Sequence, residues 1–352
     1  MNDTNLVLQI LVNNISLSDT AKERIAKEYE ALAKLFDASD LDVDIKYQGS
    51  YALGTSIRPL NHDDDYDIDL VCILNNGLNN KPEEIKHSVG DVLLNSERYK
   101  DKVEENRRSW TVEYFNSHVD VLPSILDPDN NSDLLITDNK NGYNLINSSP
   151  FKFRDWFIRM SNYVPKSVDY ANSIEEPVDQ DDNDDKLKSI VKLLKFHRDK
   201  YFDKKDSELK PISMLLTIFA AQLYDNSLDL EHALQKVVCG IRGFLEENNN
   251  KVINPVDSKE NFTDKWEEYP ERKEAFFDWL SDIEKSYSCI NLSKLKNVFG
   301  ESRVQNAVKQ LGEIRGKQRD NNLFGLNKDT GLELRDNKYS NSGYKRHTFY
   351  GD

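Results

Sequence analysis

Gln48-Gly49-Ser50-Tyr51-Ala52-Leu53-Gly54-Thr55-Ser56-Ile57-Arg58-Pro59, followed by Asp67-Ile68-Asp69-Leu70, sets a turn of small residues ahead of two carboxylates spaced two apart. The apolar run Leu70-Val71-Cys72-Ile73-Leu74 continues from that pair and reads as a buried strand. On a strand, positions i and i+2 share a face, so Asp67 and Asp69 stand side by side while Ile68 and Leu70 face the core. Gly49-Ser50 can bring backbone N–H groups and a hydroxyl against phosphate, because glycine permits close approach of the backbone. Residues 42–47 alternate as a strand leading into the turn. Residues 51–56 are expected to open a helix whose N-terminus favours an anion.

A third carboxylate follows. Val112-Glu113-Tyr114-Phe115 and His118-Val119-Asp120-Val121-Leu122-Pro123 read as two short strands joined at Asn116-Ser117. Val119 and Val121 turn inward, which leaves Asp120 and His118 on the opposite face. Three gathered acids repel one another and are hard to explain as packing, but they suit two divalent cations about 3.5–4 Å apart. Two Mg²⁺ ions are therefore expected, with Mn²⁺ as the alternative, and nucleoside triphosphates as substrates. Asp120 is expected on the side of the attacking hydroxyl, as base or metal ligand. Asp65 shares the face of Asp67 and has two readings, an outer ligand to the metals or, favoured, a solvated loop acid; Asp63 and Asp64 precede it in the linker.

The surrounding pattern predicts an α+β chain. Residues 17–35 form a helix capped by Ser18 or Asp19, residues 82–94 a surface helix, and helical patterns dominate beyond Pro150. The expected organisation is a mixed-sheet catalytic lobe over 1–150, its N-terminal helix free to pack on a second lobe. A mainly helical lobe follows over 151–325, then a polar tail over 326–352, within a segment from 321 that loses hydrophobic periodicity. Within 186–200, Leu187, Ile190, Val191 and Leu194 make an apolar stripe, and Lys188, Lys192 and Lys195 lie on another face. For Lys188 and Lys192 a solvated basic face is an equally good reading. Residues 212–223 are apolar nearly all round and read as a core helix, with Ser213 in its first turn, where capping competes with phosphate binding. Asp181-Asp182-Asn183-Asp184-Asp185 reads as an exposed loop before a helix, and Phe276, Phe277, Trp279 and Leu280 as core.

Lys and Arg total 47 against 62 Asp and Glu, a net charge of −15. Long nucleic acid needs a basic face, so such a partner is not expected. There is no CxxC or HExxH, and the six histidines are scattered. No stretch approaches the roughly 20 apolar residues of a membrane span, and the N-terminus lacks a signal-peptide pattern. Cys72, Cys239 and Cys289 are widely spaced, two of them in apolar settings, and are expected as buried free thiols in the cytoplasm.

The GSYALGTSIRP turn, the DID strand and the HVDVLP strand together resemble the CD-NTases, bacterial relatives of cyclic GMP-AMP synthase and oligoadenylate synthase that serve anti-phage signalling of the CBASS type. The resemblance runs from Gln48 to Trp266. It implies a polymerase-beta-like nucleotidyltransferase lobe in which Gln48, Gly49 and Ser50, with Lys195 and Ser213, hold the donor triphosphate, ATP among the candidates. Asn254-Pro255, Asn261 and Trp266 look like the Asn-Pro…Asn…Trp segment of the family's helical lobe. The position after the helix serine, often aromatic in relatives, is Met214, so base recognition is not implied. The resemblance further implies closure of a cyclic di- or trinucleotide that acts on a separate effector, under the control of CBASS regulatory partner proteins. Three other readings stay open: a linear oligonucleotide synthase, a tRNA- or protein-modifying nucleotidyltransferase, and an inactive nucleotide-binding module. A tRNA substrate would call for a basic surface, and a binding module has no use for three crowded acids.

Overall fold

A computed structural model describes residues 3–61, 65–161, 185–226, 229–320, 325–326 and 333–334. The chain opens with α1 (Asp3–Ile15), which the sequence reading leaves unassigned, and α2 (Asp19–Asp37). Ser18, in extended backbone, caps α2 by accepting from the Ala21 N–H at 3.2 Å. Ile25, Leu32 and Phe36 then recur on its buried face. β1 (Val43–Gln48) runs into α3 (Gly49–Ala52), a single turn rather than the helix expected over 51–56. Gly54, at φ +67°, ends it, its N–H bonding back to Tyr51 while the Leu53 N–H bonds to Gly49.

The sheet is completed by β2 (Tyr66–Leu74), β3 (Val103–Glu105), β4 (Trp110–Glu113), β5 (Ser117–Asp127), β6 (Asn130–Asp138) and β7 (Asn144–Ser148), with α4 (Pro82–Leu94) after β2. Strand order is β1-β2-β5-β4-β3, with β6 on β5 and β7 on β6. Only β2 and β5 pair in parallel among these strands, so the sheet is mixed, as expected. Ile68, Leu70, Val112, Val119 and Val121 face a core shared with Leu32, Phe36, Ile85, Val89 and Leu93. The opposite face carries one polar row across four strands. Gln48 pairs with Asp69, Asp69 with Asp120, and Asp120 with Thr111. The alternation that buries the valines is what lines up the acids.

Helices then predominate: α5 (Pro150–Met160), α6 (Lys186–Phe202), α7 (Ser213–Leu223), α8 (Leu230–Glu247), α9 (Lys265–Glu268) and α10 (Pro270–Tyr287), with a hairpin of β8 (Ile253–Asn254) and β9 (Asp257–Asn261) between α8 and α9. Leu193, Leu216, Phe219, Val237, Ile241, Phe276, Trp279 and Leu280 are fully buried here, while Phe277 is half-buried. The last elements are α11 (Leu292–Phe299), α12 (Glu301–Asp320) and the paired dipeptides β10 (Gly325–Leu326) and β11 (Glu333–Leu334). Contacts group the chain into two compact units, Val12–Ile290 and Met1–Leu11 with Asn291–Asp352. Asp63, Asp64, Asp181–Asp184 and nearly all of the tail over 326–352 lie outside the described residues.

Three expectations change. Lys188 and Lys192 are not a solvated face: like Lys195 they are buried, because neighbouring elements cover the helix on every side. Asp185, buried rather than exposed, caps α6 by accepting from the Lys188 N–H and lies 3.7 Å from the Lys188 ammonium, while Lys192 donates to Ser16 Oγ at 3.0 Å. Of the cysteines, only Cys72 is buried; Cys239 and Cys289 are exposed free thiols. Cys239 follows Val237 and Val238 on α8, and the helical turn that buries those valines carries the next position outward.

His197 on α6 is buried and neutral. Trp279 Nε1 donates to its Nδ1 at 3.2 Å, and its Nε2 donates to Ser286 Oγ at 3.2 Å. Burial holds the imidazole down to about 3, against 6.5 in the unfolded chain. Between those values the unfolded chain takes up a proton that the folded chain refuses, so stability falls as pH drops below about 6.5. The His197 contribution is a loss near ~1 kcal/mol per pH unit between about pH 7 and 5, opposed by protonation of other groups such as Asp69, so the difference in urea-unfolding stability between the wild type and His197→Gln is expected to change by that slope. Parallel pH profiles for the two proteins would contradict this.

Candidate active site

Asp69 stands opposite Asp120 on the parallel strands β2 and β5, and Asp67 stands opposite His118. One carboxylate oxygen from each of Asp67, Asp69 and Asp120 lies within 4.8 Å of the others. Burial raises the Asp69 carboxyl to about 7, and the negative charges of Asp67 and Asp120 add to that. Asp67, although exposed, is raised as well, by partial desolvation and then by the Asp120 charge. Such groups resist ionising together unless a cation joins them. All three are hard oxygen donors of the kind that bind Mg²⁺ and Mn²⁺, so the residues fit a divalent metal.

Gly49 completes this centre. Its backbone is left-handed, at φ +62°, and a Cβ there would sit 2.0 Å from Asp69 Oδ2. Only glycine lets the turn lie directly against the carboxylate. Gln48 is the cross-strand partner of Asp69, and Ser50 Oγ is 2.9 Å from Ser56 Oγ. Asp65 is not a solvated loop acid: it pairs with His118 at 2.8 Å. It lies two residues before Asp67, and His118 is the strand neighbour of Asp67, so the pair forms at the edge of the triad.

A cleft of about 510 Å³ runs from Asp67 and Ser50 to Lys195, Arg198, Lys210 and Ser213. In a chain of net charge −15 this gathering of cations is local, and it suits a polyanion. Lys195 Nζ donates to the Thr55 carbonyl at 3.2 Å. Burial, helped by the nearby Arg198 charge, brings its ammonium down to about 7. Ser213 does not cap α7; that position is Ile212, and Ser213 Oγ accepts from Arg198 Nη1 at 2.9 Å. Arg198 also donates to the Pro211 carbonyl at 3.0 Å and pairs with Asp199 at 2.6 Å. It is absent from the sequence reading, although its place three residues after Lys195 puts it on the same helix face.

A second cleft of about 260 Å³ adjoins Gln48, Gly49 and Asp69, with Met214, Phe151 and Phe262 among its walls. Asn254 lines it too, and donates to Glu260 Oε2 at 2.6 Å across the β8–β9 hairpin. Asn261 Oδ1 accepts from the backbone of Val252 and Thr263, and the Trp266 ring lies 5.0 Å from that of Phe276. Of the Asn-Pro…Asn…Trp segment, Asn254 thus lines the cleft, while Asn261 ties the hairpin's end and Trp266 packs on α10.

Residues 3–161, which include the Gly49 turn and all three carboxylates, match the Second Messenger Oligonucleotide or Dinucleotide Synthetase domain. The chain is similar to a c-di-GMP synthase of Roseivirga ehrenbergii, 26% identical over 358 residues that cover 96% of this chain and 94% of that protein. Among solved structures it is similar to the Bradyrhizobium diazoefficiens CD-NTase CdnG in complex with GTP, with a TM-score of 0.70 at 19% identity, over 88% of this chain and 100% of the other. It is also similar to the E. coli MS115-1 CdnC:HORMA-deltaN complex, with a TM-score of 0.55 at 17% identity, over 82% and 94% of the two chains. These likenesses establish the shared α+β fold, with its polymerase-beta-like catalytic lobe. The turn, the three acids and the matched synthetase domain thus agree over residues 3–161, and over most of the chain the fold is that of the solved CD-NTases.

Proposed function

We propose that this chain is a CD-NTase that joins nucleoside triphosphates, GTP foremost, into a cyclic dinucleotide, with Asp67, Asp69 and Asp120 holding two Mg²⁺ or Mn²⁺ ions. The observation that carries the reading is the convergence of three carboxylates from adjacent strands within 4.8 Å, beside a glycine turn that nothing bulkier could make. When bound, the cations would offset triphosphate charge and acidify the attacking ribose hydroxyl. Gln48, Gly49 and Ser50 meet the phosphates from the turn. Lys195, Arg198 and Ser213 attract the β- and γ-phosphates and stabilise the departing pyrophosphate. Asp120 takes the hydroxyl proton. The hydroxyl oxygen bonds to the α-phosphorus as the bond to the bridging oxygen of the β-phosphate breaks, and pyrophosphate leaves; a second transfer closes the ring. Positioning and electrostatics supply most of the acceleration.

Guanine as the base is supported by the relative named a c-di-GMP synthase and by the GTP held in CdnG. Met214, Phe151 and Phe262 offer apolar wall to a nucleobase next to the acids. Anti-phage CBASS signalling through a separate effector, in the cytoplasm, is the setting proposed for the product. A regulatory partner protein is supported by the HORMA complex of CdnC. Among the described residues no helix is long and apolar enough to cross a membrane.

The test is incubation with all four triphosphates and Mg²⁺ or Mn²⁺, then phosphatase treatment and mass spectrometry. A phosphatase-resistant cyclic diguanylate formed from GTP alone is expected. A phosphatase-sensitive ladder would indicate linear synthesis, and no product with either metal would contradict the proposal.

A further inference from the structure

We propose that Asn106 and Thr111 are positioning residues for Asp120, forming a relay that fixes the rotation of its carboxylate. This rests on the reading of Asp120 as the acid on the hydroxyl side. Thr111 lies opposite Asp120 in the antiparallel register of β4 and β5, and Thr111 Oγ1 donates to Asp120 Oδ1. Asn106 Nδ2 in turn donates to Thr111 Oγ1 at 2.7 Å.

The donor direction is forced. An ionised carboxylate only accepts, so the single Thr111 hydroxyl proton is committed to Asp120, and the Thr111 oxygen is left to accept from an amide N–H. An aspartate's terminal torsion is broad and close to two-fold, so an unrestrained carboxylate would turn between orientations. The relay removes that freedom by occupying one oxygen.

The relay is anchored in the core. Lys86 on α4 is fully buried, and its ammonium donates to the backbone carbonyls of Asn106 at 2.8 Å and Ser109 at 3.0 Å. The Asn106 N–H closes the same turn onto Ser109 at 2.9 Å, and Trp110 Nε1 donates to the Lys86 carbonyl at 2.9 Å. The segment carrying Asn106 is thereby held from beneath, although its side chain is exposed. Outer hydrogen bonds of this kind orient a ligating group and tune what it binds.

The experiment compares the full-length chain with Thr111→Val, Thr111→Ser, Asn106→Ala and Asp120→Asn. Its readouts are kcat, the KM for GTP, the melting temperature, and Mn²⁺ affinity by electron paramagnetic resonance with a non-hydrolysable GTP analogue. Thr111→Val keeps the shape and loses the donor; kcat and Mn²⁺ affinity are each expected to fall about 10–100-fold, with KM and melting temperature unchanged. Thr111→Ser restores both, and Asn106→Ala, at an exposed position that does not threaten folding, gives an intermediate loss. Wild-type kcat and Mn²⁺ affinity in Thr111→Val, beside an inactive Asp120→Asn, would overturn the relay and leave the site reading intact. A Thr111→Val defect that serine fails to rescue would assign the effect to packing and overturn it too. An active Asp120→Asn would overturn both readings.

Discussion

Asp69→Asn is expected to reduce turnover by at least about 10³-fold, roughly 4 kcal/mol of barrier, because it removes the central charge of the metal-binding triad without removing volume. Asp69 is paired in register with Asp120 and shares a face with Asp67, so its loss weakens the hold on any cation the three acids share. The same substitution has an opposite expected effect on stability. Burial and two like charges already disfavour the ionised carboxylate, whereas an amide carries no charge to be repelled. Without metal at pH 8, Asp69→Asn should therefore melt at or above the wild-type temperature. Turnover within about tenfold of wild type would remove Asp69 from the catalytic machinery.

Gly49→Ala is the second large effect. The new methyl group would sit 2.0 Å from Asp69 Oδ2, a separation that no carbon and oxygen tolerate, and the residue would also be left-handed at φ +62°. The left-handed conformation alone costs about 1–2 kcal/mol, a modest fraction of the protein's stability. The larger consequence is geometric: either the turn retreats from the triad or Asp69 swings away from Asp120. Displacement near 1 Å at a reacting centre can reduce rates about 10²-fold, so a loss of that size is expected with the fold retained. Circular dichroism and melting temperature establish the fold, and product formation from labelled GTP measures the rate. Near-normal turnover would mean that the close approach of Gly49 to Asp69 is dispensable.

The catalytic half of the site is legible in the sequence because its geometry follows from period two. Ile68 and Leu70 must be buried, which fixes the face of Asp67 and Asp69; Val119 and Val121 do the same for Asp120. Local alternation does not specify register across strands, so it could not show that Asp120 stands opposite Asp69 rather than two residues away. The same gap hid Thr111, an ordinary strand residue until β4 is placed against β5. Asp65 is legible as a loop acid or an outer ligand on the face of Asp67, but not as the partner of His118, which lies more than fifty residues along the chain. The lysines of α6 mislead for another reason. A basic stripe on a helix normally faces water, and only tertiary packing reveals that Lys188, Lys192 and Lys195 are enclosed with Asp185, Ser16 and the Thr55 carbonyl as partners. The sequence overstates the length of α3 because a left-handed Gly54 stops it after one turn, and nothing in the periodicity distinguishes that glycine from one inside a helix.

The most direct test of the central claim is diffraction from crystals grown with Mn²⁺ and a non-hydrolysable GTP analogue, with anomalous data collected at the manganese edge. Two anomalous peaks about 3.5–4 Å apart, each contacting carboxylate oxygens of Asp67, Asp69 or Asp120 and the triphosphate, are the result expected. Nucleotide bound with manganese elsewhere, or with none at these three carboxylates, would contradict it.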